Sequence, residues 1–144
     1  MKKRICALVL CMMMLFSVSA AAVYDPPDLP DASAYIAGYT ANVLNGGNGK
    51  IKVVFSVTGT GMMTSIGSSA ISIYKSNGTY VTTIYYFSSG RGNMMGSNKV
   101  YHSDTESIYV GAGSYYAVIT FYAGNSSGSD SKTAQTSVRT VTNP

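Results

Sequence analysis

From Gly111 to Gly124 the chain reads Gly-Ala-Gly-Ser-Tyr-Tyr-Ala-Val-Ile-Thr-Phe-Tyr-Ala-Gly, and no other stretch restricts the fold as much. Ala117, Ile119, Phe121 and Ala123 fall on one face at period two, and Tyr116, Val118, Thr120 and Tyr122 on the other. A strand apolar on both faces belongs in mid-sheet, with its inner face against a second layer. The following Asn125-Ser-Ser-Gly-Ser-Asp130 reads as a polar loop.

The start of the chain has a different purpose. Lys2, Lys3 and Arg4 precede an apolar run from Ile5 to Phe16 that is short for a membrane span, and small residues follow. This pattern predicts a secretory signal over 1–22, cleaved after Ala20 or Ala22. Cys6 and Cys11 leave with it, so the exported chain is expected to be disulfide-free and without thiol chemistry. Three of the ten Lys and Arg also leave, and seven remain against six acids, a net charge near +1. A nucleic-acid partner therefore loses its electrostatic support. Pro26, Pro27 and Pro30 among Asp25, Asp28 and Asp31 make 23–33 an extended linker. The chain ends Thr-Val-Thr-Asn-Pro144 with no hydrophobic tail. The expectation is an extracellular protein with no stable membrane anchor after cleavage.

Residues 34–144 form one domain by length, rich in Tyr, Thr, Ser, Gly, Val and Ile and without Trp, which is strand chemistry with glycine-marked turns. Strands are predicted over Ala34–Leu44 and around Ile51, Val53, Phe55 and Val57, joined by a hairpin at Asn45–Gly49. Thr58–Ser68 reads as a loop holding Met62 and Met63. Asn77-Gly78 predicts a two-residue type I′ hairpin that sets Tyr74 opposite Val81 and Ser72 opposite Thr83, with Ile71 and Ile73 inward. A glycine-rich loop over Ser88–Asn98 carries Arg91, Met94 and Met95. Val100–Val110 is one strand or two, and Lys132–Thr142 a last strand. Seven or eight short strands at hairpin spacing predict an all-β antiparallel sandwich.

Gly113-Ser-Tyr-Tyr116, the alternation to Ala123, Gly124-Asn-Ser-Ser-Gly128 and the Ser/Thr/Val strand after it resemble the end of a fibronectin type III or related immunoglobulin-like domain. The resemblance covers the last third of the chain. It implies an immunoglobulin-like sandwich with a corner tyrosine, for which alternation selects Tyr115 and the family's spacing selects Tyr116. The whole chain also resembles an uncharacterised family of small secreted bacterial proteins, which implies export and no particular activity.

Catalysis finds little support. His102 is the only histidine, and consecutive residues of Tyr101-His-Ser-Asp104 point to opposite faces, so they cannot assemble a triad. Asp104 and Glu106 share a face at glycosidase-like spacing, but a charged edge that discourages sheet-to-sheet pairing accounts for them more simply, with His102 as a surface residue beside them. Gly46-Gly-Asn-Gly-Lys50 lacks the Ser or Thr of a phosphate loop and precedes a strand, not a helix. The linker aspartates lack the close donor spacing of a calcium loop, and paired methionines with one histidine make a poor copper site. No cofactor or metal is expected.

Binding remains. If 71–76, 79–87 and 114–123 share one sheet, Tyr74, Tyr85, Tyr116 and Tyr122 leave by its solvent face as an aromatic platform suited to a cell-wall or host glycan, or to an extended peptide. A second expected surface gathers Met62, Met63, Arg91, Met94, Met95 and Asp130 at one pole, an adaptable contact for a surface protein. The expected function is thus a secreted, non-catalytic extracellular binding module. The alternative is a structural or self-associating protein joined through an edge strand such as 34–44 or 132–142.

Overall fold

The computed structural model describes residues 33–144; the signal segment and all but the last residue of the 23–33 linker lie outside the described residues. Nine strands follow in order: β1 (Ile36–Gly47), β2 (Lys50–Met63), β3 (Ser65–Lys75), β4 (Tyr80–Tyr85), β5 (Met95–Gly96), β6 (Lys99–Tyr109), β7 (Gly113–Asn125), β8 (Gly128–Gln135) and β9 (Arg139–Val141). A single 3-10 turn, Gly92–Met94, precedes β5. All pairings are antiparallel, in two sheets ordered β1-β2-β6 and β4-β3-β7-β8. The short β5 and β9 pair with β3 and β7.

The core is what the alternation predicts. Ile51, Val53, Phe55 and Val57 of β2 face Ile71, Ile73, Ile119 and Phe121 of β3 and β7, all essentially without solvent contact. Phe55 meets Phe121 edge-on at 6.3 Å between ring centroids, and Tyr39 stacks on Phe121 at 4.7 Å, so aromatic contacts join the two layers. Each such side chain contributes about 1.5–3 kcal/mol by leaving water. β7 is an interior strand of its sheet, between β3 and β8.

Several local expectations need correction. Thr58–Ser68 is not a loop: β2 runs through Met63 and β3 begins at Ser65. Threonine is a good strand residue, and the amide of Thr60 reaches the Tyr35 carbonyl at 3.0 Å; Gly59 packs against Met63, while Gly61 has open space around it. The polar segment after β7 is likewise strand on both sides of a two-residue turn, with Asn125 paired to Gly128. Lys99–Tyr109 is one strand, and the last predicted strand is two, broken where buried Thr136 exchanges hydrogen bonds with Ala117.

The Asn77-Gly78 hairpin is also different. Lys75 N–H donates to Thr79 C=O, and Gly78 N–H donates to Lys75 C=O, closing a three-residue loop in which only Gly78 (φ 86°) is left-handed. This is a type I turn with a glycine bulge. It shifts the register by one at the turn, so Tyr74 opposes Tyr80 instead of Val81. An irregularity at Val81 absorbs the shift, and Ser72–Thr83 and Ile73–Thr82 pair as expected. The type I′ geometry occurs instead at Asn48-Gly49 (φ 51° and 69°), between β1 and β2.

Candidate functional site

The outer face of the larger sheet is built by the same alternation that builds the core. β7 turns Tyr116, Val118, Thr120 and Tyr122 outward, opposite Tyr74, Ser72, Ala70 and Gly67 of β3. β8 extends the face with Gln135, Thr133 and Ser131, and β4 with Tyr80, Thr83 and Tyr85. No charged side chain occupies these outward positions. Lys132 and Asp130 of β8 pair with the inward-facing Phe121 and Ala123, and so lie on the opposite side. The outer face of the smaller sheet differs, since Lys50 and Lys52 of β2 stand on it.

The four predicted tyrosines share this face but form two groups. At one end Tyr74 stacks on Tyr116 (5.4 Å, 12°) and takes Tyr80 edge-on at 5.8 Å. Tyr122 lies six residues further along β7, roughly 20 Å away at strand rise. There it shares with Tyr86, Met95, Ser65 and Ser69 a hollow of about 320 Å³, near the small end of ligand sites. Tyr85 stands between the groups and stacks on Phe87 at 5.1 Å, with Tyr86 edge-on to Phe87 at 5.5 Å. Phe87 is 73% exposed. Sequence reasoning missed Tyr80, Tyr86 and Phe87: the first joins the face through the register shift, and the others lie just past the strand end, where alternation carries no signal.

The second predicted group is dispersed by its chemistry. Pairing of Gly96 with Ile66, Ile66 with Ala123 and Ala123 with Asp130 does bring the three segments to one end of the sandwich. Met63 and Met94, however, are fully buried, Met95 is half-buried in the hollow, and only Met62 is well exposed. Arg91 is engaged by Glu106, and Asp130 ties down the start of the domain. Its Oδ2 accepts from the Ser33 hydroxyl at 2.5 Å and the Tyr35 amide at 2.9 Å. The Ser33 bond, then the Tyr35 amide, hold the Asp130 carboxyl below its usual range.

The charged face of β6 points inward, not to solvent. His102, Asp104 and Glu106 lie on the side of the strand that faces the other sheet, beside Val57, Phe55 and Val53. Glu106 is buried and ion-paired with Arg91, which also reaches the Ser107 carbonyl at 3.5 Å. Burial pushes the Glu106 carboxyl up; Arg91 opposes this and Asp104 adds to it. His102 is half-buried, and its Nε2 lies 2.7 Å from the Asn93 carbonyl, a contact that requires Nε2 to carry the proton and donate. Asp104 Oδ2 is buried without a partner. These contacts fasten the segment before β5 onto β6. Among the described residues no cluster of three metal-ligating side chains occurs, and no helix is long and apolar enough to cross a membrane.

Comparison with protein-family models, with curated proteins and with solved structures finds no match to this chain.

Proposed function

We propose that the chain is a secreted, non-catalytic binding module of immunoglobulin-like topology that holds an extracellular ligand, a neutral glycan first, on the outer face of its larger sheet. The observation that carries this reading is the charge-free outer face with its two tyrosine groups. Phenol rings offer apolar faces to sugar C–H groups, while the Thr, Ser and Tyr hydroxyls supply hydrogen bonds without selecting a charged partner. The strand order β1-β2-β6 and β4-β3-β7-β8 supports the immunoglobulin-like assignment, as does the Tyr115 hydroxyl bonded back to Val110. Non-catalytic action is favoured because the histidine Nε2 is committed to a backbone carbonyl. Replacing Tyr85 and Tyr122 together by Ser should abolish retention on a glycan array or on isolated cell wall. Retention equal to that of the unaltered protein would remove the proposal.

A further inference from the structure

Three of the four sheet edges are guarded. β6 carries His102, Asp104 and Glu106 on its inward side, and β8 carries Asp130 and Lys132 there, the inward charges that deter strand pairing. β1 is irregular at both ends, and Arg139 Nε donates to its Val43 carbonyl at 3.2 Å. β4 has no inward charge and no proline, and its one irregularity, at Val81, lies at the strand's start and leaves Thr82–Tyr85 in regular register. Among the described residues it pairs only with β3, and Tyr80-Val-Thr-Thr-Ile-Tyr85 contains no charge, no proline and no glycine. An uncharged six-residue segment of β-branched and aromatic residues is the composition that pairs with copies of itself.

The backbone shows which groups are free. Tyr86 N–H donates to the Ser69 carbonyl, so residue 86, and by alternation Ile84, turn their peptide groups toward β3. Thr83 then turns both of its groups away, to the open edge, and Tyr85 its N–H, while the Tyr85 carbonyl accepts from the Ser88 amide at 3.0 Å. We infer that β4 pairs antiparallel with β4 of a second copy of this chain, about a two-fold axis beside Thr83. Each Thr83 N–H donates to the Thr83 carbonyl of the other copy. A surface that meets itself must tolerate its own charge, and this one carries none. Tyr80, Tyr85 and Phe87, exposed at 55%, 43% and 73%, flank the seam and add apolar area. The union joins two four-strand paths into one continuous sheet and doubles the neutral outer face.

Sedimentation equilibrium of protein purified from expression of the full chain tests this. The unaltered protein should show a concentration-dependent mass twice that of the monomer. Thr83→Pro removes the outward N–H and leaves the β3 ladder intact, a placement an edge strand accepts. Thr83→Lys keeps the N–H and sets like charges against each other at the seam. Both should raise the dimer Kd at least about tenfold with unchanged far-UV dichroism. Ser131→Lys, on the far edge of the same sheet, should leave it unchanged. If the proline variant fails to fold, the lysine variant decides. An unaltered protein that stays monomeric at every concentration overturns the inference, as does a dimer that survives Thr83→Lys or is lost with Ser131→Lys. Glycan retention is a separate readout, so either proposal can fail alone.

Discussion

The Tyr115 hydroxyl donates a 2.8 Å hydrogen bond to the Val110 carbonyl, reaching back across the turn that leads from β6 into β7. The ring is 3% exposed and its neighbour Tyr116 points to the other face, stacked on Tyr74. One side chain thus closes the passage between the two sheets while the next serves the outer surface.

Tyr115→Phe keeps the packing and leaves Val110 C=O with one fewer donor, so it should cost about 1–2 kcal/mol. Tyr116→Phe removes no such bond and should fall within about 0.5 kcal/mol of the parent. Urea unfolding of the two variants side by side separates them, and equal losses would contradict a stabilising Tyr115–Val110 hydrogen bond.

Gly67 is where the β5 segment lies closest to β3. A Cβ built there meets the Met94 carbonyl oxygen and, at 2.9 Å, the Met95 Cα, both backbone atoms that cannot swing aside. Gly67→Ala should therefore destabilise the fold by about 3 kcal/mol, the upper range of overpacking, and free the segment that carries Arg91. Proteolysis of the variant should cut between Ser88 and Asn98 faster than in the parent.

Gly78 has open space around it but a φ of 86°. Gly78→Ala should cost about 1–2 kcal/mol from backbone strain alone. Gly78→Asn, which tolerates that conformation better, should recover part of it, as thermal unfolding would show.

Acid titration should reveal two groups of opposite sign. Glu106 has a raised carboxyl pKa, so the folded state binds its proton more tightly than the unfolded chain. Its stabilising contribution is complete below the ordinary value of 4.5 and is lost as pH rises through the raised value. Asp130 has a lowered pKa, so its contribution is present above 3.8 and is lost as pH falls through the depressed value. The melting temperature of Glu106→Gln relative to the parent should therefore rise with pH across the first window. That of Asp130→Asn relative to the parent should rise as pH falls through the second. A flat difference contradicts the dominance of burial at Glu106 in the first case, and the Ser33 and Tyr35 hydrogen bonds to Asp130 in the second.

Much of this architecture could be read from residue order, because a strand's side-chain period is independent of its neighbours. Ile71, Ile73, Ile119 and Phe121 had to share a buried face wherever the strands lay, and Tyr74, Tyr85, Tyr116 and Tyr122 the opposite one. Glycine content misled where it was taken as loop chemistry: Gly59 and Gly61 lie within β2, and Gly124 and Gly128 flank a tight hairpin. The turn at Asn77-Gly78 misled differently, since its dipeptide suits both a two-residue loop and the three-residue loop actually formed.

The sequence by itself determined the inner and outer faces of β2, β3 and β7 and the apolar core they share, which depend on local alternation and composition. Only the tertiary structure decided that His102, Asp104 and Glu106 point into the sandwich, that Arg91 crosses from another segment to meet Glu106, and that the uncharged β4 is left at an edge. Those outcomes depend on which strands become neighbours and which remain at the margins. Pairing between segments far apart in the chain sets that, and no local pattern encodes it.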